Sequence, residues 1–336
     1  MRYLALLAMF LLPCGALSQD WEDRRIFGNE DRAVSLRVLS STDTWFFVPI
    51  IEDFIAAYPS VSVEYLVTGT ADLDRAFRAT PTQFDVVISS AMDLQLKLAN
   101  DGFAKQIPDV THPNWAQWHN SLFAFTSEPA AIVINRQVIG DLPPPKSRQD
   151  LIQLMRDHPA RFQGKVGTYD VRQSGLGYLF ATQDARASET YWRLMEVMGR
   201  VDAQLYCCSG QMIDDLRAGQ LVMAYNVLGS YARARAATSD ELLVILPSEF
   251  PTTMMRTVLA SDTAANPSAA ENFIRHLLDL QATGNPLTFP LPPLSKAQAG
   301  EGQTTISLDP ALMTYLDKMK RETFIQEWED AVVQDD

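Results

Sequence analysis

Four short hydroxyl-rich runs in this chain each follow an apolar, strand-like stretch and precede a helix-like one: Ser40-Ser41-Thr42, Gly69-Thr70, Ser89-Ser90 and Ser174-Gly175. Side-chain hydroxyls and the unpaired N–H groups of a helix start are donors, and such donors gathered at one place bind the oxygens of a carboxylate, phosphate or phosphonate. Ser41, Thr42, Thr70, Ser89, Ser90, Ser174 and Gly175 are therefore candidate ligand-binding residues, and Arg172 adds a candidate bidentate, charge-assisted contact. Ordinary helix capping explains any one of these runs. Four at equivalent strand ends point to an anion site. Asp43, Asp85 and Asp170 also fall near strand ends, where each either caps a turn or pairs with an amine on the ligand, as a zwitterion such as an aminophosphonate would require. Trp45, Phe46, Trp115 and Trp118 lie close by and read as core residues before stacking platforms.

Catalytic chemistry finds no comparable footing, and the reading is of a non-enzyme. No Gly-x-Ser-x-Gly elbow, His-Glu-x-x-His pair or phosphate-cradling Walker loop occurs. Asp214 and Asp215 are adjacent, so on a helix they point to different faces and do not form an acid/base pair. No metal or other cofactor is expected: His112, His119, His158 and His276 form no spaced pair, and Cys207-Cys208 has no partner at zinc spacing. The adjacent cysteines read as small buried residues at a strand end, as a vicinal disulfide, or as an intermolecular bond.

The net charge of -13 leaves no broad cationic surface for a phosphate backbone, which excludes a general nucleic-acid binder. Arg2, the apolar run Tyr3 to Leu12 and the small residues Ala16 and Ser18 have the layout of a secretory signal peptide over residues 1–18, too short for a membrane span. Export and a periplasmic location follow as expectations. Beyond it, strands at 34–39, 61–67 and 84–88 alternate with helices at 46–58, 71–79 and 91–101, the rhythm of a mostly parallel sheet covered on both faces. A long extended stretch at 122–134 leads to a second such unit: helices at 148–157, from 174, 189–198 and 212–218, and strands at 165–169, 202–206, 219–226 and 242–246. A Pro-bearing segment and a strand at 254–260 return the chain, and 269–281 is an amphipathic helix.

Several segments together resemble the periplasmic solute-binding proteins of ABC transporters, type II fold, in the branch that includes ferric-iron binders. They are Glu128-Pro129-Ala130-Ala131-Ile132-Val133-Ile134-Asn135, Phe162 to Gly167 with Arg172 to Phe180, Leu216 to Asn226, and Asn266-Pro267 before a helix, within residues 34–285. The resemblance implies two α/β lobes, each a mostly parallel sheet flanked by helices, joined by two crossings and closing on a small solute by hinge motion. Lobe 1 is then 34–125 with 254–285, lobe 2 is 126–246, and the second crossing is 247–253. It also adds Tyr225 and Asn226 to the ligand-binding set and an ABC permease as partner. Ferric binders of this family carry adjacent tyrosines after the strand matching Tyr225-Asn226, whereas this chain continues Val227-Leu228-Gly229-Ser230-Tyr231. A ferric-iron protein is thus an alternative to the favoured small anionic solute (phosphonate, phosphate ester or carboxylate).

After Pro286 a Pro-, Gly- and Thr-rich linker over 286–309 precedes a helix expected at 310–333. Its apolar residues Leu312, Leu316, Met319, Ile325, Trp328 and Val332 recur near helical spacing. It either packs back on a lobe or docks on a partner. The second possibility raises a further alternative, a ligand-binding co-sensor for a membrane histidine kinase.

Overall fold

The computed structural model describes residues 21–29, 33–237, 240–249, 252–295 and 304–334. The expected signal peptide lies outside them. Among the described residues the strands form two seven-stranded sheets. The first holds β1 (Asp23–Phe27), β2 (Val34–Ser40), β3 (Val61–Val67), β4 (Val86–Ser89), β5 (Gln117–Trp118), β6 (Leu122–Ala124) and β13 (Thr257–Ala260) in the order β1-β3-β2-β4-β13-β6-β5. The second holds β7 (Glu128–Asn135), β8 (Val166–Tyr169), β9 (Gln204–Tyr206), β10 (Met223–Leu228), β11 (Leu242–Ile245), β12 (Thr252–Met254) and β14 (Thr304–Thr305) in the order β14-β12-β7-β10-β8-β9, with β11 also on β7.

β2 runs parallel to β3 and β4, and β8 parallel to β9 and β10. Parallel pairing needs crossovers, and the helices that supply them cover the sheets. Thr44–Ala57 buries Phe47, Ile50, Ile51 and Phe54, the i, i+3, i+4, i+7 stripe of a helix facing a core. β3 is buried at every position, as a central strand of β-branched and aromatic residues should be. Its Glu64 is tolerated there because Arg24 and Arg37 pair with it at 2.7 and 2.6 Å. β1 lies upstream of the first expected strand; it pairs antiparallel with β3 and extends the first sheet.

The chain passes between the sheets by two short strand-to-strand joints, and the tail crosses once more to place β14 on the second sheet. The chain leaves β6 for β7 through Phe125–Ser127, and returns from β12 to β13 through Met255–Arg256. The second passage therefore lies after 247–253, because Thr253 and Met254 already pair with Pro129 and Glu128 on β7. At these joints Arg256 and Glu128 are both wholly buried and meet at 2.8 Å. Glu128 also accepts from Thr126 at 2.9 Å and from Ser230, while Arg256 donates to Thr42.

The tail departs from the expected single helix. Pro310–Leu316 is a 3-10 helix, and the α-helix spans Lys318–Val332 with Asp317 as its side-chain cap. Asp317 has extended backbone, which ends one element and starts the other. The linker is not free either: Phe289, Leu291, Ile306 and Leu308 are buried, Ser127 exchanges hydrogen bonds with the Ser295 backbone, and β14 pairs with β12. The 3-10 helix packs against helix Met92–Asn100 of the first lobe, and the α-helix against Thr190–Arg200 of the second, burying Phe324, Trp328 and Val332. The apolar face that suggested partner docking is thus mostly spent inside the protein.

Two predictions follow from these contacts. Glu128→Ala leaves the Arg256 guanidinium buried and unpaired, and should cost about 3–5 kcal/mol in urea unfolding; a loss under about 1 kcal/mol would show that the pair holds little. Asp93, buried at the start of helix Met92–Asn100, has its carboxyl pushed up to about 7 by burial, against the opposing pull of nearby backbone N–H groups and Arg321. A carboxyl raised in the folded state binds its proton more tightly there than in the unfolded chain. Its contribution is therefore present below the unfolded value of about 4 and is lost as pH rises through about 7. Asp93→Asn should flatten that part of the stability–pH curve.

Candidate functional site

Six helices start at the carboxyl ends of strands and face the gap between the lobes. Thr44–Ala57, Thr70–Ala79 and Met92–Asn100 follow β2, β3 and β4; Gly175–Ala187, Ser209–Arg217 and Gly229–Ala236 follow β8, β9 and β10. Between them lies a cavity of about 70 Å³ lined by Ser41, Asp43, Thr70, Ser90, Tyr169 and Ser209 among others. Room for roughly five waters, at 10–15 Å³ each, is also room for one compact oxyanion. Ser174 caps its helix by accepting from the Gly177 N–H at 3.0 Å. The other five helices have no side-chain cap at their N-cap residues Asp43, Gly69, Ala91, Cys208 and Leu228. Uncapped N-termini carry partial positive charge toward the cavity. Larger grooves of about 320 and 630 Å³ lie between helix Gly175–Ala187 and the tail, with no such convergence of helix starts.

The lobes touch across this cavity. Thr70 Oγ1 accepts from the Leu176 N–H at 3.1 Å, and the Tyr231 hydroxyl donates to Asp43 at 3.1 Å while accepting from the Asp43 N–H at 3.1 Å. At Gly175 the faces pack closely: a Cβ there would meet Leu94 Cδ1 at 2.8 Å, Thr70 Oγ1 at 3.2 Å and Ala91 Cβ at 3.3 Å.

The candidate residues divide by place. Ser41, Thr70 and Ser90 line the cavity, Ser41 Oγ accepting from the Ser90 N–H at 3.2 Å. Ser89 lies just behind, its hydroxyl accepting from the Ala91 N–H at 3.1 Å, and Ser174 and Gly175 form the helix start beside Thr70. Thr42 is turned into the protein onto Arg256. Arg172 is elsewhere: it forks onto Asp170 at 2.8 Å from both Nε and Nη2, reaches Glu329 at 3.2 Å and covers the Trp328 ring at 5.6 Å. A guanidinium two residues from a buried carboxylate pairs locally, and here that pairing anchors the tail.

Tyr225 and Asn226 are also away from the cavity. The Tyr225 hydroxyl donates to Asp184 at 2.7 Å and accepts from Arg148 at 2.6 Å, and Asn226 donates to the same carboxylate at 2.9 Å. Thr252 completes the cluster at 2.9 Å, so it secures the returning strand. Asn226 has φ +61° within a register shift between β10 and β7, a left-handed conformation asparagine tolerates. Tyr225 and Tyr231 accordingly face different places.

Glu22, Tyr169, Cys207, Cys208, Ser209, Gly210 and Tyr231 line the cavity without having been assigned to it. Burial, then Asp43 and Asp72, raise the Glu22 carboxyl above its ordinary range. Ser209 repeats the hydroxyl-after-strand pattern and was legible by it; Glu22 arrives on β1's leading edge and left no such signal.

The sequence profile of the bacterial extracellular solute-binding proteins matches residues 36–284. The chain belongs to that family. No curated protein matches it in sequence. Its fold is similar to the substrate-binding protein of an Agrobacterium tumefaciens ABC transporter, with 29% identity, a TM-score of 0.83, and coverage of 92% of this chain and 98% of that one. Two further structures share the fold at low identity. The periplasmic protein AfuA of Actinobacillus pleuropneumoniae, solved with fructose-6-phosphate, has 15% identity, a TM-score of 0.70 and coverage of 90% and 100%. Iron-bound HitA of Pseudomonas aeruginosa has 13% identity, a TM-score of 0.66 and coverage of 89% and 99%. This solute-binding protein is accordingly a two-lobe, type II periplasmic binding protein by architecture, and the gap between its lobes is the place to seek its solute.

Gly175→Val should hold the lobes apart without unfolding either. Small-angle scattering should then give a larger radius of gyration than for the unaltered protein; equal radii would show that this contact does not limit closure.

Proposed function

We propose that the protein captures a small anionic solute between its lobes outside the cytoplasm and delivers it to an ABC importer, without chemistry of its own. The observation that carries this reading is the convergence of six helix N-termini, five without side-chain caps, on one inter-lobe cavity. Backbone N–H groups and the hydroxyls of Ser41, Thr70, Ser90 and Ser209 supply donors for a carboxylate, phosphate ester or phosphonate. None of the described residues lining the cavity is Lys or Arg, so the anion is to be neutralised by dipoles and hydrogen bonds. Glu22 and Asp43 on the same wall suit a solute that also carries an amine, as aminophosphonates and amino acids do. Closure follows the hinge described above, with Thr70–Leu176 and Asp43–Tyr231 made only when the lobes meet.

Thermal unfolding against inorganic phosphate, phosphorylated sugars, phosphonates, amino acids, carboxylates and ferric ion tests the reading. A solute at about 100 times its Kd adds roughly 2.7 kcal/mol of stability. A shift with an oxyanion is the expected result, and one with ferric ion alone would overturn it. Ser41→Ala and Ser90→Ala should each weaken oxyanion binding about fivefold, equivalent to about 1 kcal/mol per hydrogen bond, while Arg172→Ala leaves affinity unchanged.

A further inference from the structure

Cys207 and Cys208 stand at the turn from β9 into helix Ser209–Arg217, and both line the inter-lobe cavity. Their Sγ atoms are 2.7 Å apart, and each side chain is half-buried. They are the free cysteines among the described residues, so neither has another thiol to compete for it there. We propose that these two residues are a redox-active pair that closes to a vicinal disulfide outside the cytoplasm, and that closing it remodels the wall of the solute cavity. The proposal rests on the inter-lobe cavity being the solute site, but its chemistry does not depend on which solute binds.

The coupling is geometric. Cys208 is the N-cap of helix Ser209–Arg217, with extended backbone at φ -148° and ψ 153°. A bond between adjacent side chains closes an eight-membered ring that contains the Cys207–Cys208 peptide, so the backbone must turn to admit it. The next residue cannot follow freely. Ser209 Oγ lies 2.5 Å from the Tyr169 hydroxyl and accepts from the Leu228 N–H at 3.0 Å, which ties the helix start to the ends of β8 and β10. The change is therefore concentrated at Cys207, Cys208 and the first N–H groups of the helix, beside Gly210, where a Cβ would meet nothing within 4 Å.

Exchange with a small-molecule disulfide such as oxidised glutathione accounts for every atom. The Cys207 thiolate attacks one sulfur of the oxidant and expels the first thiolate. The Cys208 thiolate then attacks the mixed disulfide at Cys207 and expels the second. The protein loses two protons and two electrons, and the oxidant's disulfide becomes two thiols. Cys207 is the group to attack first, since the hydrogen bond from Cys208 holds its thiol below the ordinary range while Cys208 is pushed up.

Protein exported to the periplasm, lysed into N-ethylmaleimide and unfolded, tests the bond by intact mass. Loss of all labelling before reduction, and two adducts per chain after it, is the expected result; two adducts before reduction would overturn the disulfide. Amide hydrogen exchange across residues 204–212 tests the coupling. Reduction should change exchange there in the native sequence and not in the Cys207→Ser, Cys208→Ser double variant, and identical profiles in both redox states would overturn it. Neither readout involves a solute, so their failure is separate from failure of the anion reading.

Discussion

The wholly buried ion pair between Arg256 and Glu128 is the interaction on which the two-lobe arrangement depends. Each residue sits at one of the two strand-to-strand joints, so the pair ties the joints to each other before either lobe is considered. Besides Thr126, its hydrogen bonds reach into both lobes: to Thr42 after β2 and to Ser230 at the start of helix Gly229–Ala236. Desolvating two charges costs several kcal/mol per ion, and the arrangement stands because nearly every donor and acceptor around it is used. What the pair contributes is position. A pair of apolar residues would fill the same space without specifying how the strands on either side of the hinge meet.

Around that joint the protein keeps its helix starts unfinished. Capping a helix N-terminus is worth about 1 kcal/mol, and five of six helices at the cavity forgo it on their N-cap side chains. Elsewhere Ser147, Asp309 and Asp317 each accept from a backbone N–H of the helix they precede, whereas Gly69, Ala91 and Leu228 at the cavity have no side-chain acceptor to offer. The gathering of helix starts there follows from the direction of parallel strands, whose carboxyl ends deliver them to a single edge of each sheet.

The alternation of strands and helices was legible because its periodicities are local, and Val61–Val67 or Ala269–Gln281 needs no partner to be recognised. Ser41, Thr70 and Ser90 were legible as members of a recurring pattern at strand ends. Arg172 misled because Asp170, two residues away, claims its guanidinium, and Glu329 and Trp328, more than 150 residues on in the tail, complete its surroundings. Tyr225 and Asn226 look the same in sequence whether they face a cleft or a buried aspartate; Asp184 and Arg148 decide it, and neither is near in the chain. The return passage falls later than the break at Pro247 suggests for a similar reason: its place is set by pairing of Thr253 with Pro129.

The tail gives the hinge a companion. It leaves the first lobe after helix Pro267–Thr283, is tied to the joint at Ser127, touches the first lobe again through Pro310–Leu316 and ends on the second. A two-stranded joint alone permits twisting as well as bending. A chain fastened to both halves at a second place resists the twist, because any swivel would stretch it or pull the 3-10 helix from helix Met92–Asn100. Any movement of one lobe on the other must therefore also loosen the seat of Pro310–Leu316 on helix Met92–Asn100, so the tail works as a strap laid outside the joint.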